Sequence, residues 1–342
     1  MEVIQVVKRF GLCGGMEEYV FRLTEELCKK GVKVKVLCET QVTETENEIK
    51  VIQLGQSIKK PRWASHIMFS QKVSNWVNKH SNSNEIIHSH ERSSCHHVTT
   101  IHSTLFNFPR KGLPTFRKYM NEYLEKREMN SNNLKKIVPV SQLIAEQIKE
   151  KFPFTKNILS HPIPPGVAKI NTSKKKFDIQ MPIIGFIGKE WKRKGLLKVI
   201  EIWREVTNKY PNTKLCLAGF PKTDDIGLSI EEIKKVELLG FVQNKEVFYS
   251  KIDMLLHPAK KEAYGMVIAE ACSLGIPVIC SKECGAAFHG LDESQSINFS
   301  KDVSYWTKKV TLCIKNSCHN SFNHKPFSWN DSVDLYCSLY QF

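Results

Sequence analysis

The sequence predicts an α/β protein of two domains, each built on an open parallel sheet. Three observations carry this. A chain of 342 residues is long for one core and suits two domains of common size. The chain opens on a strand, a glycine-bearing loop, a helix and a second strand, and it starts a new unit of the same kind after the lysine-rich stretch at 171–176. The stretch Ser250–Cys284 then repeats the pattern: a short apolar strand ending at His257 and Pro258, a polar loop, a helix, and a β-rich run from Ile276 to Cys280.

In chain order, Val3–Val7 reads as a buried first strand because its apolar residues run almost unbroken. The loop KRFGLCGGMEE leads into a helix from about Met16 to Lys30 that buries Met16, Tyr19, Leu23 and Leu27, with Gly31 as its cap and Val32–Cys38 as the next strand. Gly11, Gly14 and Gly15 do not spell G-x-G-x-x-G, which disfavours a nicotinamide cofactor. Ile86–Ile87 and Val98–Ile101 read as strands that drop histidines at their carboxyl ends, where open α/β sheets place ligands. That placement outweighs a metal reading of the clustered His88, His90, His96, His97 and His102. After Leu134 come a strand and a helix capped by Ser141.

The second domain opens on Ile183–Ile187 and runs into GKEWKRKGLL. This crowds Lys189, Arg193 and Lys194 into a strand-to-helix turn, where cations suit the charge of a diphosphate. Leu215–Gly219 and Val236–Val242 are the next strands, and the tail bearing Trp329, Leu335 and Leu339 reads as a last helix that crosses back to the first domain.

Within Ser250–Cys284, residues Tyr264–Leu274 favour helix and Gly275 ends it. Glu270 is the only charge among Met266, Val267, Ile268, Ala269, Ala271 and Cys272. A buried carboxylate costs several kcal/mol, on the order of its desolvation, unless something donates to it. The stretch itself offers no partner, and sugar hydroxyls of a ligand would serve. Glu262 precedes the helix, whose free amides at Gly265, Met266 and Val267 suit a phosphate.

The formal charge of +15 predicts attraction to something acidic: nucleic acid, an anionic membrane face or a phosphorylated glycolipid. Two segments interleave cations with aromatics, 57–66 (SIKKPRWASH) and Phe106–Lys118, as an anionic membrane surface favours. Eleven cysteines without framework spacing point to a reducing compartment. Cys313, Cys318, His319 and His324 match no familiar zinc spacing, and no Asp-x-Asp pair offers to hold Mg²⁺. No apolar run reaches bilayer length and MEVIQVV does not read as a leader, so the expectation is a cytoplasmic protein, peripheral on the inner face of the membrane.

LLHPAKKEAYGMVIAEA, then LGIPVI and CGAA, resembles the donor site of the family-four retaining glycosyltransferases of GT-B fold, and within them the enzymes that glucosylate the lipopolysaccharide core. The resemblance implies two Rossmann-like domains facing across a cleft. Residues 1–168 with a returning helix at about 326–342 would bind the acceptor, and residues 177–325 would bind the donor. It implies that Glu262 contacts the donor sugar and that Glu270 takes the ribose hydroxyls. Gly188 and the loop Ala263, Tyr264, Gly265, Met266 and Val267 would hold the diphosphate with Lys189, Arg193 and Lys194. The backbone at Gly240 and Val242 would read the base, and His102, Gly14 and Gly15 would face the donor and the acceptor. Lys189 stands where similar enzymes carry arginine, which leaves the main phosphate ligand open between Lys189 and Arg193. The implied reaction is metal-independent hexosyl transfer from a UDP-sugar, with no cofactor, to a lipopolysaccharide core or other lipid-linked glycan; ADP-heptose and GDP-mannose remain open as donors. A GT-B epimerase acting on a UDP-sugar is the alternative. A nucleic-acid-binding role is disfavoured because the cations fall on separate loops instead of one stripe.

Overall fold

Each of the two large sheets grows outward from its first strand. The computed structural model describes residues 1–105, 115–172, 177–221, 226–242, 244–288, 291–292, 294–316 and 327–342. Most of the basic segment Phe106–Lys118, most of 171–176, and Cys318, His319 and His324 therefore lie outside the described residues. The chain divides into two compact units, Met1–Gly166 with Phe327–Phe342, and Val167–Pro326.

The first unit contains β1 (Glu2–Val6), α1 (Gly15–Lys29), β2 (Lys33–Cys38), β3 (Lys50–Gln53), α2 (Arg62–His80), β4 (Glu85–Ser89), β5 (Val98–Ile101), α3 (Phe116–Met129), β6 (Lys136–Pro139) and α4 (Gln142–Lys151). Its six strands lie in the order β3-β2-β1-β4-β5-β6, all parallel. Val3, Ile4 and Val6 are fully buried, as a central parallel strand covered on both faces requires. Met16 is only half-buried, at the mouth of α1, whereas Tyr19, Leu23 and Leu27 are buried. Ser141 caps α4 by accepting the Ile144 amide at 3.3 Å.

The second unit contains β7 (Ile183–Ile187), α5 (Trp191–Lys194), α6 (Leu196–Lys209), β8 (Lys214–Ala218), β9 (Val236–Gly240), α7 (Glu246–Tyr249), β10 (Met254–His257), α8 (Met266–Ser273), β11 (Val278–Ser281), β12 (Ser296–Ile297) and α9 (Val303–Asn316). Its six strands follow the same order, β9-β8-β7-β10-β11-β12, again all parallel. Phe186, Trp203 and Trp306 fill the core between sheet and helices, and the Trp203 indole N–H donates to Thr213 O at 3.0 Å. In both sheets the strand order reverses beside the first strand, and ligands of such sheets bind at the carboxyl ends of the two strands flanking that point.

The helix expected from Tyr264 begins only at Met266, because Gly265 sits at φ +100° and a right-handed helix cannot run through it. The strand expected to reach Val242 ends at Gly240, whose φ is +71°.

The tail helix α10 (Trp329–Leu339) belongs to the first unit. Its buried face is Trp329, Ser332, Val333 and Tyr336, while Leu335, expected to pack, is 41% exposed. A Cβ on Gly166 would stand 2.3 Å from the Trp329 nitrogen, so glycine admits the helix start. Polar groups then fix its pose. Tyr19 OH donates to Ile163 O at 3.2 Å and accepts from Tyr336 OH at 2.8 Å. Tyr336 in turn accepts from Thr100 at 2.8 Å, and Thr100 accepts from His88 Nε2 at 2.8 Å. His88 Nδ1 then accepts from Tyr340 OH at 2.6 Å. Every donor in this buried chain has one acceptor, provided that His88 is neutral and carries its proton on Nε2.

Candidate active site

The second sheet reverses between β7 and β10, and the segments leaving these two strands carry the charges. β7 runs into Gly188, where a Cβ would press within 2.4 Å of the Lys194 side chain. After the single turn of α5, Gly195 at φ +85° redirects the chain into α6. A Cβ on Gly195 would lie 1.9 Å from the Pro258 carbonyl oxygen, so only glycine lets this turn rest against the end of β10. The Lys260 amide closes the same contact by donating to Arg193 O at 3.0 Å.

That approach delivers two cations to one carboxylate. Glu262 Oε2 lies 3.3 Å from Arg193 Nη1 and 3.3 Å from Lys194 Nζ. Arg193 is held in addition by Glu190 Oε2 at 2.6 Å and by Lys261 O. The backbone of Glu262 is pinned from both sides, its amide donating to Glu283 O at 3.0 Å and its carbonyl accepting from Gly285 N–H at 3.1 Å. Lys189, on the same turn, is exposed and is not brought to Glu262. Three residues on from Glu262, Gly265 opens α8, whose first amides, at Met266 and Val267, have no acceptor within the helix. Ala263 is half-buried and Tyr264 is buried, with Tyr264 O accepting the Ala286 amide at 2.7 Å.

Glu270 corrects an expectation. It is buried, but its charge is met within the protein: Oε2 accepts from Tyr249 OH at 2.6 Å and Oε1 from Lys245 Nζ at 2.6 Å. Lys245 caps α7 and Tyr249 is its last residue, both outside the helix that carries Glu270. Burial of this acid therefore does not by itself demand a ligand. Burial, and then the neighbouring Glu270, push the Tyr249 phenol well above its ordinary range, which keeps it a hydrogen-bond donor. Lys245, Tyr249 and His257 are the site residues that sequence reasoning missed; the only signal for the first two is a polar pair ahead of a strand. Gly240, with its carbonyl accepting from Gly219 N–H at 2.8 Å, and half-buried Val242 lie at the end of β9, on the sheet's edge.

In the first unit the reversal falls between β1 and β4. Gly14 caps α1, and a Cβ on it would meet Glu17 Oε2 at 2.3 Å, whereas a Cβ on Gly15 would meet nothing within 4 Å. His102, just past β5, has its Nε2 2.8 Å from His90 Nδ1, and His90 Nε2 lies 2.7 Å from Gln5 Oε1. With Gln5 presenting its carbonyl, His90 donates from Nε2, His102 donates from Nε2 to His90, and a lone pair is left on His102 Nδ1. Burial holds the His102 imidazolium down to about 3, so the ring is a neutral acceptor at ordinary pH. The clustered histidines serve this hydrogen bonding; among the described residues no group of His, Cys, Asp or Glu could hold a metal ion.

Comparisons with known proteins agree with this architecture. The sequence profile of glycosyl transferases group 1 matches residues 169–300, and that of glycosyltransferase family 4 matches residues 13–168. The capsular polysaccharide biosynthesis glycosyltransferase CapM of Staphylococcus aureus is 28% identical over 109 residues, 30% of this chain and 29% of CapM. The lipopolysaccharide glucosyltransferase WaaG of Escherichia coli is 27% identical over 132 residues, 37% of this chain and 35% of WaaG. These matches thus span only 29% and 35% of the relatives' lengths. In three dimensions the crystal structure of WaaG, a glycosyltransferase involved in lipopolysaccharide biosynthesis, is similar with a TM-score of 0.79 at 16% identity, over 97% of this chain and 99% of WaaG. That of Anabaena HepE in complex with UDP-glucose gives 0.69 at 13% identity, over 99% of each chain. The two profiles take up residues 13–300 in succession, and with the fold shared along the length of WaaG the chain belongs to the glycosyltransferases of GT-B fold.

Proposed function

We propose that the protein is a retaining, metal-independent hexosyltransferase that moves a hexose from a UDP-sugar to the lipopolysaccharide core or another cell-envelope glycolipid. The observation that carries this reading is the meeting of Arg193, Lys194 and Glu262 at the reversal point of the second sheet, just ahead of the open amides of α8. Cations and helix amides suit a departing diphosphate, and a carboxylate between them suits the sugar hydroxyls or the developing positive charge on the ring. Glu270, already holding Lys245 and Tyr249, has lone pairs left for ribose hydroxyls.

In the reaction the bond from the anomeric carbon to the diphosphate oxygen breaks and the acceptor oxygen bonds to that carbon on the same face. The acceptor's proton passes to the departing phosphate, and no side chain is assigned as nucleophile. Lys189, Arg193, Lys194 and the Gly265–Val267 amides stabilise the leaving group. Family likeness gives His102, Gly14 and Gly15 their place beside donor and acceptor, assigns the base to the backbone at Gly240 and Val242, and assigns acceptor and donor to residues 1–168 and 177–325. UDP is favoured because HepE holds UDP-glucose, and a glycolipid acceptor because WaaG is involved in lipopolysaccharide biosynthesis. The test is thermal-shift screening against UDP-, ADP- and GDP-sugars. A ligand confined to the native state at a hundredfold its Kd adds about 2.7 kcal/mol, and a response to none of the three sets removes this reading.

The site of action we place at the inner face of the membrane. Among the described residues no helix is long and apolar enough to cross one. Phe116, Tyr119 and Tyr123 fall on one face of α3 and are 65%, 58% and 48% exposed. Trp63, at the start of α2, stands edge-on to Phe116 at 5.6 Å, and Lys59, Lys60, Arg62, Arg117 and Lys118 surround the pair in the sequence. Each cation near anionic lipid contributes about 1 kcal/mol. We expect co-sedimentation with phosphatidylglycerol vesicles that weakens with salt and falls at least about tenfold in a Trp63→Ser, Phe116→Ser double variant; salt-insensitive binding, or none, removes the membrane assignment.

A further inference from the structure

His257 closes β10 and is fully buried, yet neither ring nitrogen has a hydrogen-bond partner among the described residues. Buried polar atoms in this condition are uncommon and call for a physical reason. The ring cannot swing away to find one. Its backbone is locked in the β10–β11 ladder opposite Cys280, the next residue is pressed against Gly195, and its face lies parallel to Phe186 at 6.0 Å. Its Nε2 lies 4.0 Å from an acceptor, Glu262 Oε2, just beyond hydrogen-bond reach. The same oxygen is held by Arg193 and Lys194.

We propose that His257 is a positioning residue for Glu262, taking over its carboxylate as a neutral N–H donor when a diphosphate draws Arg193 and Lys194 away. The inference rests on the donor site proposed above. The two cations cannot satisfy a carboxylate and a diphosphate equally, and a carboxylate left beside two phosphates without a donor would turn from them. With both backbones fixed, rotation of the Glu262 side chain alone closes the gap to His257. The imidazole suits this duty because burial, and then Lys194 and Arg193, keep it unprotonated. It can donate one hydrogen bond without adding a charge that would compete for the phosphates.

The test uses the full chain labelled with ¹⁵N-histidine and inorganic pyrophosphate as the probe, with a His257→Phe spectrum identifying the resonance. On adding pyrophosphate, the His257 Nε2 proton is expected to move downfield into the range of a charge-assisted hydrogen bond. His257→Phe is expected to weaken pyrophosphate binding about tenfold, the equivalent of about 1.4 kcal/mol and within the cost of stranding one polar group. His257→Gln, which can offer an amide N–H from a similar place, is expected to restore it to within about threefold. Pyrophosphate binding that depends on Arg193 while the His257 signal stays still overturns the inference alone. Affinity unchanged in Arg193→Ala overturns the donor site, and the inference with it.

Discussion

Glu262→Ala is expected to lower the proposed hexose transfer from UDP-glucose by about a hundredfold or more, the scale on which single electrostatic groups at a reacting centre act, while the unfolding midpoint barely moves. Glu262 sits at the mouth of the loop with 16% of its side chain exposed, and both of its cations keep some exposure, 37% for Arg193 and 17% for Lys194, so each can be solvated when the carboxylate goes. Its loss also leaves Arg193 anchored by Glu190 and Lys261 O, so the turn keeps its shape. The measurement is UDP release in the presence of a truncated lipopolysaccharide core, paired with a thermal melt. Glu270→Ala gives the contrasting pattern, because it removes the close acceptor of the buried Tyr249 hydroxyl and leaves it only the Val267 carbonyl at 3.4 Å. A stability loss of about 1–3 kcal/mol and weaker nucleotide binding are expected there. Unchanged kinetics in Glu262→Ala would leave the cation cluster without a catalytic meaning.

A second large effect is acid lability of the first unit. His88, His90 and His96 are buried and neutral. Burial first, then the neighbouring histidines, hold His88 and His90 well below the usual imidazole range, and burial brings His96 down to about 4. In the unfolded chain these rings take a proton near pH 6.5, so below that pH the unfolded state binds more protons than the folded one. The stability they contribute is complete above about pH 6.5 and is lost as pH falls toward the folded values. His96 alone accounts for about 2 kcal/mol by pH 5. For His88 the loss has a structural form: a proton on Nδ1 would reverse the bond to Tyr340, whose hydroxyl must then find another acceptor in a buried place. Glu128 opposes the trend, since burial raises its carboxyl to about 7, and folding therefore favours its protonated form as pH falls. It is one group against several. Urea unfolding between pH 7.5 and 5 is expected to show a steep fall, made shallower by about 1.4 kcal/mol per pH unit or less in His96→Gln. A flat profile would mean that these imidazoles are not buried neutral.

Much of this architecture can be read before folding. Nearly unbroken apolar runs at Val3–Val7, Ile183–Ile187 and Met254–Leu256 announce central parallel strands, and the turns after them hold the residues on which the candidate site depends. The Glu262 loop and the basic turn at 189–194 are equally visible, because residue type and spacing along the chain are local facts. Partnership is not. Glu270 reads as an acid in want of a ligand until α7 folds beside it and supplies Lys245 and Tyr249. His257 reads as the unremarked end of a strand until burial leaves both its nitrogens bare.

Taken alone, the amino-acid sequence determined that this protein would form parallel sheets with charged turns at their carboxyl ends, because hydrophobic period and turn chemistry act over a few neighbouring residues. Tertiary structure alone decided which charges meet. β7 and β10 had to pair at the sheet's reversal point, and Gly195 had to lie against Pro258 where any side chain would collide, before Arg193 and Lys194 could reach Glu262. Contact between residues so far apart in the chain is set by packing and the absence of a single methyl group, and no local pattern encodes it.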